Sequence, residues 1–120
     1  MLYLERSGEV VSDVSAQVPE PIAPSLLPKR VITASLIKYG GGYFAVLKEA
    51  DEASDAFGYW DATVEFRRDY SSALELHLKN LDYIKRTVKI AVEGILEELN
   101  NILKDVDREV ERLKRSSQRQ

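Results

Sequence analysis

Arg30–Lys48 reads RVITASLIKYGGGYFAVLK, and this stretch decides the fold. Val31–Tyr39 is rich in β-branched and apolar residues, which favour a pleated, half-buried strand. Gly40, Gly41 and Gly42 then supply a turn, because consecutive glycines adopt positive φ without steric cost. Tyr43–Lys48 can run back against the first strand, so the stretch is a β-hairpin. Downstream, Glu49, Asp51, Glu52 and Asp55 make an acidic connection of low strand propensity. Gly58 opens a third predicted strand, with Trp60, Ala62, Val64 and Phe66 on one face and Tyr59, Asp61, Thr63, Glu65 and Arg67 on the other. After Asp69–Ser71 a shorter alternation sets Leu74, Leu76 and Leu78 against Ala73, Glu75 and His77. The expected sheet is a four-stranded antiparallel meander ending on that segment.

From Leu81 the period changes. Asn80 is a natural N-cap, and Leu81, Ile84, Val88 and Val92 form one helical stripe that Tyr83 and Ile90 widen. The stripe then tightens. Val92, Leu96, Leu99, Leu103, Val106, Val110 and Leu113 alternate spacings of four and three, with Leu96, Leu103 and Val110 at a and the rest at d. That is the pattern of a leucine zipper, and in a parallel pair Glu109 at g would meet Lys114 at e of the second helix. Ile95 and Ile102 at g thicken the seam, so a homodimer and a dimer of dimers are both open. The expected class is therefore α+β: a four-stranded antiparallel sheet packed by helix, followed by a coiled coil.

The N-terminal side is less decided. Pro19, Pro21, Pro24 and Pro28 are the only prolines and fall within ten positions, which predicts an irregular linker. Val10, Val14 and Val18 fit a helical face, while Val10, Ser12, Val14, Ala16 and Val18 fit a strand equally well. The expected division is an N-terminal segment and linker over 1–29, a sheet-plus-helix domain over 30–91, and an oligomerisation helix with a basic tail over 92–120.

Composition removes many functions. The 120 residues contain no cysteine and one histidine, so thiolate chemistry is absent and an ordinary zinc site has almost nothing to work with. No apolar run is long enough to span a bilayer, and Met1–Val18 lacks the apolar core of a signal peptide, so a cytoplasmic protein without membrane contact is expected. The glycines are not followed by Gly-Lys-Ser/Thr, and no G-x-G-x-x-G opens a helix. Ser71 and Ser72 sit in no nucleophile elbow. His77 with Glu75 reads as surface decoration rather than a dyad, and the acidic connection lacks the spacing of a calcium loop. No catalytic residue, metal or cofactor is expected.

The aromatics point elsewhere. Tyr39, Tyr43, Phe44, Phe57, Tyr59, Trp60, Phe66 and Tyr70 lie in or beside the predicted sheet, with Lys38, Lys48, Arg67 and Arg68 among them. Rings that stack on bases, rimmed by cations that track phosphates, suit single-stranded nucleic acid. Trp60 and Phe66 fit a core beneath the helix better than a stacking surface, Tyr43, Tyr59 and Arg67 fit an exposed face, and Phe44 fits either. Charge argues against duplex binding: residues 1–80 hold eight basic and twelve acidic groups, and the whole chain carries a net charge of -3. The candidate interface comprises Lys38, Tyr43, Phe44, Lys48, Tyr59, Trp60, Phe66, Arg67 and Arg68.

In layout the chain resembles the archaeal single-stranded DNA-binding family ThermoDBP and its related proteins. RVITASLIKYGGGYFAVL, GYWDATVEFRR, ALELHL and the zipper from Val92 to Leu113 carry the resemblance. It implies a sequence-independent binder of single strands, DNA or RNA, in which an apolar and cationic cleft is shared by zipper-linked subunits. The rival from another class is a structural or chaperone-like coiled-coil protein whose sheet docks a protein partner and whose aromatics are core.

Overall fold

The computed structural model describes residues 3–20, 30–51 and 61–118. The hairpin forms as its sequence dictates. Strands β2 (Arg30–Tyr39) and β3 (Gly42–Asp51) pair without a break from Arg30↔Asp51 to Tyr39↔Gly42. Gly40 and Gly41 have φ of 64° and 79°, so both central residues of the two-residue loop take the conformation that matches strand twist. Gly42 serves a different need. A Cβ there would lie 2.3 Å from the Phe66 ring and 2.9 Å from the Arg67 carbonyl oxygen. The third expected strand, β4 (Asp61–Arg67), pairs with β3 with Val46↔Val64 and Phe44↔Phe66 in register.

The fourth strand comes from the other end of the chain. After a short helix α1 (Tyr3–Ser7), β1 (Glu9–Gln17) runs antiparallel to β2 from Glu9↔Lys38 to Gln17↔Val31. Val18 N donates to Arg30 O at 2.8 Å and adds a rung. The sheet order is β1-β2-β3-β4. Residues 9–18 therefore belong to the sheet and are not a segment set apart from it. A bulge between Val10 and Ser12 explains why strict alternation fails there.

Residues 73–78 are correspondingly not a strand. They lie within the first three turns of α2 (Tyr70–Gln118), a helix of 49 residues whose cap is Asp69 and not Asn80. Ser72 N donates to Asp69 Oδ2 at 2.9 Å, the N-cap geometry. That bond and the Ser72 hydroxyl hold the Asp69 carboxyl below its usual range. In a helical frame Ala73, His77 and Ile84 fall on one face, and these are the buried residues of α2. The leucine alternation misleads, since Leu78 ends 54% exposed.

Helix α2 covers one face of the sheet. Ile32, Ala34 and Ile84 form the central cluster, with Ala16, Val18, Leu47, Leu81, Tyr83 and Val88 packed around it. The opposite face carries Ile37 and Val46, both fully buried, and α1 lies at its hairpin end. From Leu99 to Gln118 every residue of α2 is exposed. At 1.5 Å per residue this arm reaches about 30 Å past the sheet.

Candidate functional site

Pairing register assigns each sheet residue to a face, and the nine expected interface residues divide between them. Lys38, Tyr43 and Arg67 share the α2 face. Tyr43 packs edge-on against Tyr70, with ring centroids 5.4 Å apart. Lys38 is exposed and stands opposite Tyr43 at the hairpin end. Arg67 Nη1 donates to Phe66 O at 2.8 Å, and its Nη2 lies 3.6 Å from Glu65. Arg68 follows β4 and is exposed. Phe44, Lys48 and Phe66 lie on the opposite face. Tyr59 and Trp60 fall outside the described residues.

That opposite face carries a row of rings. Phe66 and Phe44 are 5.0 Å apart, Phe44 and Tyr39 6.5 Å, and Tyr39 and Tyr3 5.9 Å, each pair tilted or edge-on. Their tilts suit aromatic contact and leave part of the ring surface open. Phe66 is 41% exposed and Tyr3 62% exposed. Sequence reasoning counted Tyr39 among the sheet aromatics but missed Tyr3, because the ring reaches the row from α1, 36 positions earlier in the chain.

Beside the row is a polar hollow of ≈330 Å³, lined by side chains of α1, β1, β2 and β3. Ser35 Oγ donates to Asp13 Oδ1 at 2.6 Å, and Ser15 and Thr33 share a hydrogen bond of 2.9 Å. Lys48 is ion-paired with Glu5 of α1. A cation expected to meet phosphate is thus already matched by a carboxylate. Three further polar groups hold elements together beneath α2. Glu49 accepts from Arg30 Nη2 at 3.0–3.1 Å and from the Tyr83 hydroxyl at 2.6 Å. That bond to Glu49 raises the Tyr83 hydroxyl above its ordinary pKa.

His77 is also not surface decoration. It is 1% exposed, its Nε2 lies 3.0 Å from Ser12 Oγ, and its Nδ1 has no partner among the described residues. Burial lowers its pKa, with the nearby Asp13 charge opposing in part. In the unfolded chain it titrates at about 6.5. Stability should therefore be full above that pH and fall as pH drops below it, because the unfolded chain takes up a proton that the folded one resists. Urea midpoints between pH 7.5 and 5 should show this decline, and His77→Gln should flatten it. An equal decline in both proteins would remove His77 as its source.

Among the described residues, no cluster of three His, Asp or Glu side chains could hold a metal ion. No described helix is long and apolar enough to cross a membrane. The zipper positions are open: Val92, Leu96, Leu99, Leu103, Val106, Val110 and Leu113 are all 40–61% exposed. Comparison with protein-family models, curated proteins and solved structures gives no match.

Proposed function

We propose that this chain binds single-stranded nucleic acid without regard to sequence, and that its C-terminal arm links copies into a homodimer or a dimer of dimers. The row Tyr3–Tyr39–Phe44–Phe66, on the sheet face that α2 leaves open, carries the reading. Bases stack on such rings whatever their identity, and a duplex, whose bases are already stacked, does not offer them. Lys38 and Arg67 stand at the hairpin end on the α2 face and Arg68 follows β4, so these cations can meet only phosphates that pass around that end of the sheet from the rings. With Lys48 held by Glu5 and a net charge of -3, stacking must contribute more than counterion release. The ThermoDBP-like layout supports the same reading through the hairpin, β4 and the heptads. The segment ALELHL no longer contributes to it as a strand.

Titration of labelled oligo-dT and of a duplex, at graded salt, tests the reading. Phe66→Ala and Tyr3→Ala should each weaken single-strand binding by about 1–3 kcal/mol, which is about five- to 150-fold, with little change in salt slope. Arg67→Ala or Arg68→Ala should instead flatten the slope by about 0.7 for each phosphate left without its cation. Equal affinity for the duplex, or no binding at low salt, would leave the protein-docking reading ahead.

A further inference from the structure

The two edges of the sheet are built differently. β1 is protected by its bulge and ends at Gln17, two residues before Pro19, both devices that discourage another strand from adding. β4 has neither. It pairs with β3 in one unbroken register over Asp61–Arg67, and all seven of its residues are exposed. Among the described residues, no strand lies on its outer side.

The sequence of β4, DATVEFR, is complementary to itself when reversed. We infer that β4 is a docking edge for a second copy of this chain, in an antiparallel pair centred on Val64. In that register Asp61 faces Arg67 of the second copy, and Thr63 faces its Glu65, on the α2 face. On the open face Ala62 faces Phe66, and Val64 faces Val64. Every opposed pair matches: opposite charges, hydroxyl with carboxylate, apolar with apolar. A shift of two residues in either direction destroys the match, setting Asp61 against Glu65 or Glu65 against itself. A shift by one residue turns the apolar face of one strand onto the charged face of the other.

Asp61 makes the case independently of the pattern. It stands opposite Glu49 on β3, a like charge, and no ion pair to it exists among the described residues. Arg67 of a second copy would supply the missing cation, exchanging its present contacts with Phe66 O and Glu65. The symmetry also differs from that of the helix arm. A parallel helix pair has its two-fold axis along the helices, whereas an antiparallel strand pair that keeps faces matched has its axis perpendicular to the sheet. One dimer cannot satisfy both, so the strand pair is a second interface, and where its axis meets that of the arm at right angles the closed assembly holds twice the copies that the arm alone joins.

Sedimentation of the full chain tests the edge. Asp61→Arg sets two arginines against each other at both ends of the strand pair and should halve the mass, while Asp61→Arg with Arg67→Asp should restore it. The halving is expected whether or not the arm associates, and it does not depend on nucleic acid, so failure here is distinct from failure of the single-strand reading. Since the chain has no cysteine, single replacements report the register. Val64→Cys should form an intermolecular disulfide under mild oxidation. Ala62→Cys should not, because its own copy lies four residues along the ladder, about 13 Å away. An unchanged mass in Asp61→Arg, no rescue by the swap, or equal cross-linking at Ala62 and Val64 would each overturn the inference.

Discussion

A chain carrying Leu99→Asp and Leu103→Asp should sediment at a lower mass than the parent and lose helical signal from its C-terminal arm. The expectation follows from what α2 lacks beyond the sheet. Over Leu99–Gln118 no residue is buried, so no tertiary contact holds these turns in place. These turns propagate from the packed part of α2, and without tertiary contact each added residue gains little and the end of the helix frays. The Arg108–Asp105 and Arg112–Glu109 bridges help, but pairs so open to water contribute little. A seam covered by a second copy would stabilise the arm far more, at roughly 25 cal/mol per Å² of apolar surface removed from water. Placing two unpaired carboxylates in that seam costs several kcal/mol apiece. The g-to-e pairing matters less than the heptads suggest, because Glu109 is already held by Arg112 at 2.6 Å and Lys114 would have to compete. An unchanged mass by sedimentation equilibrium would show that the stripe does not join copies.

How much could be read in advance depended on whether one pattern had a single interpretation. Arg30–Lys48 did, because β-branched residues on both sides of a glycine turn have no helical alternative. Val10–Val18 did not, since valines four apart fit a helical face and the alternation from Val10 to Val18 fits a strand equally well. Leu74, Leu76 and Leu78 favoured a strand only while Asp69 was read as part of a turn. As a cap, it starts a helix in which Ala73 and His77 take the buried face. The site was legible in residue type but not in face. β2 is buried on both sides, with Ile32, Ala34 and Leu36 beneath α2 and Ser35 and Ile37 opposite. No alternation in the hairpin therefore marked which aromatics α2 would leave open. Tyr43 and Phe44 are neighbours in sequence and end on opposite faces. Tyr3 joins the row only because α1 folds back over the sheet, a contact between distant parts of the chain that no local pattern announces.

The strand that sequence left undecided yields the most severe test of the fold. Removal of residues 1–18 should abolish cooperative unfolding and leave a chain without fixed packing. Eight register pairs join β1 to β2, and Val18 adds another hydrogen bond. At about 0.5–1.5 kcal/mol net for each hydrogen bond, the ladder alone rivals the total stability of about 5–15 kcal/mol typical of a domain. Its loss would also strip Ala16 and Val18 from the core cluster and leave β2 as a new, apolar edge. His77 would lose the Ser12 hydroxyl, its hydrogen-bond partner on β1, and Ser35 would lose Asp13. Calorimetry and near-ultraviolet circular dichroism would both report the collapse. Had β1 been an appendage beyond a proline linker, the shortened chain would melt cooperatively within a few degrees of the parent. Such a melt would mean that β2, β3, β4 and α2 hold the core by themselves.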